Sequence, residues 1–573
     1  MRKTASVLLA VSFMLMPVLN ASAQVSEITT SNVGSNEKIS SSSKIAGNFE
    51  DDCVILVMTN EASLSQLHYS TSDFSEIECK SITNLSPAMT SKVELQLSKN
   101  TEISSRSSSD DASLSITDAV DLRTFNQILY LELEEAGKEN VLEAIQLLEQ
   151  RSDVLCAGPN YIYTIEPESD CFTTDNCENL NTNPMRTVTT GDPLISQQWA
   201  IDKMTLAYAW QLSNGSSRQV TVGVIDHGID VEHPDLDDRI NQTKSTTIYF
   251  QEDGLSNLSA FSDDIGHGTL VAGIIGANSN NGEGIHGINS NVDIVSIRVD
   301  STNNQLHTKT LARAIDYARS QGVEILSISL QVKIEQDTEY CESKICTLDD
   351  ICIYHIVKKF SGLIVCSAGN SYDNIDNTDP LFPASLDLNN IIVVGASTPS
   401  DTMWIGDLTD NDPKNDGTNY GRYSVDLFAP GVNICTTIPS HFCSRTNCPS
   451  SESHVDYLYH YRTGTSFAAP QVAGVASLLL SMYPDQVMNY SALRYHILDG
   501  VDICDSFRGK CATGGRINAF KVLSSHVMDF YYEQYDSMYH QSFCECTGWM
   551  FEGHSFSDIG GMEVCLTCGY YLA

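Results

Sequence analysis

The sequence predicts an α/β fold, a doubly wound and mostly parallel sheet flanked by helices, over roughly residues 193–523. In this region short runs rich in valine, isoleucine and leucine alternate with longer helical patterns. Strands that are apolar on both faces are typical of parallel sheets covered by helices. Chemistry in such sheets collects at the carboxyl ends of the strands. The predicted strands are QVTVGVID, VDIVSIRV, VEILSISL, GLIVCSAG, NIIVVGAS and VDLFAPG, and the predicted helices are GTLVAGIIGA, KTLARAIDYARSQG, DICIYHIVKKF and SFAAPQVAGVASLLLSMY.

A smaller α+β unit precedes this sheet. DDCVILVMTN, QILYLELEE and DVLCAGPNYIYTIE predict three strands, and NVLEAIQLLEQ predicts an amphipathic helix because its apolar residues recur at helical spacing. A polar segment with Pro184 and Pro193 has the composition of a linker. We therefore predict a leader, this unit and a linker over residues 24–190, the sheet domain over 191–523 and a Cys/His-rich tail over 524–573.

Residues 1–23 have the pattern of a secretory signal peptide. Arg2 and Lys3 precede an apolar run that ends at Ala21-Ser22-Ala23, a small-x-small cleavage pattern. The alternative is an N-terminal membrane anchor. No later run of about 20 apolar residues follows, so no membrane span is expected in the mature chain, and the sequence predicts an extracellular or cell-surface protein.

The composition of the chain is strongly acidic. Its 573 residues include 73 aspartates and glutamates against 33 lysines and arginines, for a formal net charge of −40. Nucleic acid and anionic lipid are therefore not expected as partners, whereas cation binding is compatible with this charge.

The chain contains eighteen cysteines. Export predicts that many of them form disulfides, although the sequence does not give the pairing. Cys366 lies in an apolar run and is expected to be a buried small hydrophobe. The Cys/His-rich tail has two alternative interpretations, a pair of disulfides or a tetrahedral zinc site. The residues concerned are Cys544, Cys546, His554, Cys565 and Cys568. The short-range disulfide candidates elsewhere are Cys171 with Cys177, Cys443 with Cys448, Cys504 with Cys511, and two among Cys341, Cys346 and Cys352.

Four segments place chemically useful side chains at strand ends or helix starts. VTVGVID contains Asp226, DIGHGTLVAGI contains His267, RTGTSFAAPQVAG contains Ser466, and SAGN contains Asn370. Each alone is a weak signal, since a serine before a helix is usually a cap. Together they provide a nucleophile, a base, an orienting acid and an oxyanion donor, which are the roles that acyl transfer requires.

VIDHGIDVEHPDL, GHGTLVAGI, SAGN, FAPG and GTSFAAPQVAG resemble, in order and wording, the signatures of the subtilisin-like serine proteases. The resemblance covers roughly residues 193–523 and implies hydrolysis of protein or peptide substrates through an acyl-enzyme. It implies that Ser466 is the nucleophile and His267 the general base. Asp226 would orient the base and Asn370 would bind the oxyanion, with no cofactor required for the chemistry.

The same resemblance implies how substrate binds. In the family an extended peptide pairs with segments that correspond to residues 299–303 and 329–331, which implies Ser329, Leu330, Gln331 and Gly369 as substrate-binding residues. Gln331 departs from the usual glycine, so the family's specificity does not transfer directly. Three acids after Asn370 either favour a basic P1 residue or form an exposed loop; they are Asp373, Asp376 and Asp379.

The resemblance also implies a calcium site. Its ligands would be Asp235, Gln198 near the mature N-terminus, and Asn281 in the loop NSNNGEG. Oxygen ligands on loops suit this hard cation. The alternative is that Asp235 is a turn residue.

The early α+β unit resembles the inhibitor propeptides of the family. It ends in VLCAGPNYIY, where Gly158 replaces the family's usual glutamate. As a propeptide it would assist folding and cover the active site until it is cut off between residues 163 and 196. The alternative is a permanent N-terminal domain.

The stretch GVIDHGIDVEHPDL concentrates acidic and histidine side chains, but a shared metal site is not expected there. Asp226 and His227 are adjacent and would point to opposite faces of an extended strand. His227 stands where the family usually has serine or threonine. If its imidazole lies near the Asp226 carboxylate, its protonation would shift activity near pH 6 to 7, roughly where histidine titrates.

Two other functions remain open from the sequence. One is a catalytically idle subtilase fold that serves as a binding or adhesion module, which the departures at His227 and Gln331 would favour. The other is a metallohydrolase that uses the acidic and histidine side chains of GVIDHGIDVEHPDL, Asp226 included.

Overall fold

The computed structural model describes most of the chain from residue 49 onward. The described residues are 49–105, 122, 125–165, 191–213, 218–249, 259–299, 305–330, 332–334, 352–377, 381–406, 417–441, 458–483 and 489–528, together with strands in the tail. Predictions for Gln331, for Asp379 and for most of the paired cysteine candidates fall outside these residues.

The N-terminal unit contributes four antiparallel strands, in the order β2-β3-β1-β4, to a seven-stranded sheet that three short strands of the second unit complete, and helix α3 packs against it. Val141, Ala144, Ile145 and Leu148 of α3 are buried, as their spacing predicted, whereas Leu147, predicted on the same face, is only partly buried. The elements of the unit are β1 (Phe49–Met58), α1 (Asn60–Ser65), β2 (Cys79–Asn84), α2 (Pro87–Ser105), β3 (Ile128–Leu133), α3 (Lys138–Glu149) and β4 (Val154–Ile165).

The second unit is built on a nine-stranded sheet in the order β17-β18-β14-β13-β11-β9-β5-β7-β6. Neighbouring strands of this sheet run parallel to each other, except for β17 and β18, which are antiparallel. The predicted α/β class is therefore confirmed. The elements of its first half are α4 (Trp199–Lys203), α5 (Leu206–Leu212), β5 (Val220–Asp226), β6 (Thr246–Ile248), α6 (His267–Gly276), β7 (Val292–Val299), β8 (Gln305–His307), α7 (Thr308–Ser320), β9 (Ile325–Ile328), β10 (Val332–Ile334) and α8 (Cys352–Lys358). Its second half comprises β11 (Leu363–Ser367), β12 (Leu381–Phe382), β13 (Ile391–Ser397), β14 (Leu427–Pro430), β15 (Ile434–Thr437), β16 (Tyr459–Arg462), α9 (Thr465–Ser481), α10 (Tyr490–Asp499), β17 (Val501–Ile503), β18 (Gly515–Ile517) and α11 (Ala519–Met528).

Both faces of the large sheet are buried. Within β5, Val222 and Val224 belong to one apolar cluster, which includes α6 and α9, whereas Ile225 belongs to the cluster on the other face with α7 and α8. Alternate residues of a strand point to opposite faces, which is why these strands are apolar throughout. Cys366 in β11 is fully buried, as predicted.

The predicted disulfide between Cys504 and Cys511 is wrong, since both thiols are free. Their side chains point to different partners. Cys504 Sγ donates to the carbonyl of Asp502 at 3.3 Å, and Cys511 Sγ lies 3.9 Å from the carbonyls of Phe507 and Gly515.

Strand β4 connects the two units. Its first part pairs with β1, and its last residues pair antiparallel with β8 and β10, two short strands of the large domain. The N-terminal unit therefore ends as a strand that lies between two segments of the large domain.

The tail contains two three-stranded antiparallel arrangements. They are β19 (Tyr531–Gln534), β20 (Tyr539–Cys544) and β21 (Gly548–Gly553), then β22 (Phe556–Ile559), β23 (Met562–Cys565) and β24 (Tyr571–Leu572). The side chains of the predicted zinc or disulfide set lie outside the described residues. In the described part of the chain, no helix has the length and apolar character needed to cross a membrane.

Candidate active site

Asp226 and His267 meet at the carboxyl edge of the large sheet. Asp226 is the last residue of β5, and His267 is the first residue of α6. His267 Nδ1 lies 2.8 Å from Asp226 Oδ2 and 2.9 Å from Oδ1, and both side chains are buried. Gly266, immediately before the helix, adopts a φ of 95°, a left-handed conformation that glycine allows without strain.

The electrostatics of this pair define the state of the imidazole. Burial alone would raise the pKa of Asp226. The charge of His267 and hydrogen bonds from His227 and His267 outweigh burial and hold the pKa of Asp226 below its ordinary value. An ionised carboxylate cannot donate, so His267 Nδ1 carries the shared proton and Nε2 is left as the basic nitrogen.

Ser466 is the second residue of α9, the long buried helix that packs beside α6. Its Oγ donates to the carbonyl oxygen of Ser329 at 3.1 Å, and Ser329 Oγ donates to the carbonyl of Ser466 at 3.1 Å. The rings of His267 and Phe467 have centroids 5.9 Å apart, which places the imidazole beside the residue that follows Ser466. The predicted nucleophile and base thus belong to the same region.

The amide of Asn370 has a fixed orientation. Its Oδ1 accepts from the Thr465 backbone N–H at 3.0 Å and from Thr465 Oγ1 at 2.8 Å. Thr465 Oγ1 in turn accepts from the Gly369 N–H at 3.1 Å. Because Oδ1 is engaged twice, the Asn370 NH₂ group faces away from Thr465. A Cβ at Gly464 would lie 3.6 Å from Asn370 Nδ2, an ordinary van der Waals distance, so Gly464 borders this donor.

The substrate-binding predictions are placed only in part. Ser329 and Leu330 are buried just after β9, and Gly369 has a φ of 105° between β11 and Asn370. The extended strand β4 pairs with β8 and β10. These two strands lie a few residues beyond the segments predicted to bind an extended peptide, 299–303 and 329–331. In their register Ile162 is opposite His307 and Ile165 is opposite Val332.

Asp376 does not have the environment of a specificity residue. Its carboxylate accepts from three consecutive backbone N–H groups, those of Arg422 at 2.7 Å, Tyr423 at 3.1 Å and Ser424 at 2.9 Å. Those bonds attach one surface loop to another, which supports the loop alternative over a pocket for a basic P1 residue.

Asp235 and Asn281 of the predicted calcium set do lie together. Asp235 is fully buried, and its Oδ1 accepts from Asn281 Nδ2 at 2.9 Å while Oδ2 accepts from the Ile285 N–H at 3.0 Å. Burial raises the pKa of Asp235 to about 7, and the charge of Asp192 adds to that effect. Because burial disfavours the ionised form of this carboxylate, a cation bound beside it would stabilise that form.

Asp192 lies beside the predicted calcium site, but the sequence pattern indicated Gln198 as the ligand from this part of the chain. Asp192 Oδ1 accepts from the Asn281 N–H at 3.2 Å, and its Oδ2 is buried with no hydrogen-bond partner among the described residues. The Gln198 amide is bonded at both ends to the backbone of His286, at 2.9 and 2.8 Å. The available signal was an aspartate directly after Gly191, at the start of the domain.

The prediction that Asp226 and His227 face apart is wrong. The chain leaves β5 at Asp226 and turns at Gly228, whose φ is 106°, so strand alternation no longer applies. The His227 N–H donates to Asp226 Oδ1 at 2.7 Å, and His227 Nδ1 lies 3.5 Å from the same oxygen.

An α/β fold that brings an aspartate, a histidine and a serine to one edge of its parallel sheet is characteristic of the subtilisin-type serine endopeptidases. The sequence profile of the subtilase family matches residues 217–511, and the chain belongs to this family. It is 32% identical over 317 residues to a thermophilic serine proteinase of Bacillus sp. (strain AK1), covering 55% of this chain and 64% of that protein. It is 30% identical over 341 residues to thermitase of Thermoactinomyces vulgaris, covering 58% of this chain and 99% of thermitase. It is 31% identical over 266 residues to the major intracellular serine protease of Bacillus subtilis (strain 168), covering 46% of this chain and 69% of that protein.

We predict that Asp376→Ala weakens the fold without changing the P1 preference. Loss of a carboxylate that accepts three backbone hydrogen bonds should cost about 1–3 kcal/mol of stability, measured by thermal unfolding. The ratio of kcat/KM for peptides with arginine and with phenylalanine at P1 should stay unchanged. Asp373→Ala, which removes an exposed carboxylate from the same loop, is the control. A selective loss of activity on the arginine peptide in Asp376→Ala would contradict this assignment.

Proposed function

We propose that the protein is an exported serine endopeptidase made as a zymogen, with Asp226, His267 and Ser466 as its catalytic triad. The observation that carries the proposal is the buried hydrogen bond between the Asp226 carboxylate and His267 Nδ1. That bond leaves Nε2 of His267 as the base, beside the helix that begins with Thr465 and Ser466.

The chemistry follows from these positions. Ser466 exchanges its hydrogen bond to the Ser329 carbonyl for one to His267 Nε2, which takes the hydroxyl proton as Oγ attacks the scissile carbonyl carbon. His267 then returns the proton to the leaving amine, and water hydrolyses the acyl-enzyme by the same route. The Asn370 NH₂ group and the Ser466 backbone N–H stabilise the oxyanion of each tetrahedral intermediate.

The N-terminal unit is the inhibitor in this proposal. The end of β4 occupies the space between β8 and β10 as an extended strand, the way a peptide substrate adds to such edges. Asn160 Oδ1 accepts from the Lys309 N–H at 3.0 Å, at the N-terminus of α7. The Lys309 ammonium lies 4.4 Å from the centre of the Tyr130 ring. Activation then requires a cut after Ile165 and before the domain that begins near Gly191.

Asp192 and Asp235 would supply carboxylate ligands for a calcium ion, and Asn281 would join them once its amide oxygen turns from the Glu283 N–H toward the site. The set offers carboxylate oxygens on loops, with one buried Asp192 oxygen that has no hydrogen-bond partner among the described residues. Calcium bound there would neutralise two buried carboxylates and hold the loop from Asn278 to Ile285 against the start of the domain. It has no part in the acyl-transfer steps. For the tail, zinc and disulfides remain alternatives.

Export is supported by the predicted signal peptide. Membership of the family does not decide the location, because one of the relatives is named as an intracellular enzyme.

The first test of the function uses a fluorophosphonate probe. The processed wild-type chain should be labelled at Ser466, whereas Ser466→Ala should not be labelled and should accumulate with residues 49–165 still attached. Ser481→Ala, which changes a serine on the same helix α9, is the matched control and should behave as wild type.

Absence of labelling in the processed wild-type chain would contradict the enzyme proposal and favour an idle binding module. Normal trimming of Ser466→Ala would show that another protease performs the activation. Activity abolished by chelators but insensitive to the probe would favour a metallohydrolase.

The calcium proposal predicts a calcium-dependent unfolding temperature. An ion at about 100 times its Kd adds roughly 2.7 kcal/mol, so chelation with EGTA should lower the Tm of a domain of this size by roughly 4 °C. Asp192→Asn and Asp235→Asn should lose this response. Gln198→Ala and Asp237→Asn, the latter at an exposed carboxylate nearby, should keep it. A full calcium response in Asp192→Asn would rule out Asp192 as a ligand.

A further inference from the structure

The catalytic carboxylate is in contact with two imidazoles. Asp226 Oδ2 faces His267 Nδ1 at 2.8 Å, while Oδ1 accepts the His227 N–H at 2.7 Å and lies 3.5 Å from His227 Nδ1. The His227 side chain is 12% exposed, so this contact is largely shielded from water. A serine or threonine at this position could donate a hydrogen bond but could not gain a charge near neutral pH.

We propose that His227 is a positioning residue that shares the Asp226 carboxylate with His267 and so extends activity to lower pH. The inference rests on the proposed function, since it concerns the protonation of the base in that triad. His227 does not touch substrate in this account and acts only through Asp226.

The physical argument begins with the two carboxylate oxygens. His227 Nδ1 lies 3.5 Å from Oδ1, whereas His267 Nδ1 lies within hydrogen-bond distance of both oxygens, 2.9 Å from Oδ1 and 2.8 Å from Oδ2. The bond that orients the base therefore survives when His227 carries a proton. Two titrating groups on one carboxylate are coupled, because a proton on either imidazole disfavours a proton on the other.

The consequence concerns the acid side of the activity profile. His267 must be neutral to act as the base, so activity falls when it is protonated. As pH falls, the first proton is distributed between the two imidazoles. Molecules that carry it on His227 keep His267 neutral and active. A second proton is then harder to add, so the acid limb is broader than a one-proton curve and lies at lower pH.

Other charged groups face this pair from neighbouring elements. Asp263, before α6, accepts from the N–H groups of Gly266 and Thr269, and burial raises its pKa. Arg298 on β7 pairs with Asp264 at 3.2 Å, and the charge of His441 also acts on Asp264. All of these groups are common to wild type and to any His227 variant, so they cannot produce a difference between the two profiles.

The experiment compares the processed wild-type enzyme with His227→Asn and His227→Thr between pH 4.5 and 9. The second-order rate constant for inactivation by phenylmethanesulfonyl fluoride is measured at each pH, with kcat/KM for an uncharged peptide alongside. We expect the midpoint of the acid limb to rise by about 0.5 to 1 pH unit in both variants. The limb should also sharpen to a one-proton curve. His496→Asn, on α10 away from the triad, should keep the wild-type shape.

Superimposable profiles in wild type and variants would overturn the inference, as would a lower rate with an unmoved midpoint, which is the mark of a merely structural residue. If neither variant folds, the acid limb of the wild-type pH–rate profile is the test. An acid limb that fits the titration of a single proton also overturns the inference. A wild-type chain that never reacts with the sulfonyl fluoride would instead overturn the proposed function.

Discussion

The hydrogen bond between the Asp226 carboxylate and His267 Nδ1 is the interaction on which the site depends. A buried carboxylate is costly unless it is paired and hydrogen-bonded, and here the compensation comes from His267 and from the backbone and side chain of His227. The fold supplies this arrangement, because β5 ends at Asp226 and α6 begins at His267 beside it. The parallel sheet therefore determines which side chains meet, and the loops determine how they are oriented.

A second constraint is the pairing of β4 with β8 and β10, which in the proposed zymogen would cover the active site. The covalent link makes binding of β4 between β8 and β10 intramolecular, so the effective concentration of this strand is high without strong individual contacts. In the proposed zymogen, the same pairing would make release depend on cutting the link, after which the inhibitor could dissociate. Autoinhibition and activation would then follow from one strand that pairs with both units.

The sequence predicted the fold class, and the local patterns at a strand end and a helix start placed Asp226 and His267 where the structure brings them together. The catalytic roles of Asp226, His267, Asn370 and Ser466 stay predictions. The sequence did less well where geometry depends on loops. Asp192 and Gln198 lie six positions apart at the start of the domain, and only the folded loop decides which one faces Asp235. The spacing of Cys504 and Cys511 suggested a bond, yet their side chains point to different carbonyls. For His227, strand alternation was the wrong guide, because β5 ends one residue earlier.

The most direct measurement of the central claim is the kcat of Asp226→Asn, compared with its thermal unfolding. Asparagine keeps the size of the side chain but removes the charge that fixes the His267 tautomer. If that charge is the basis of the site, kcat falls by about 10⁴ while Tm changes little. A decrease of less than tenfold in a folded, processed enzyme would contradict the account.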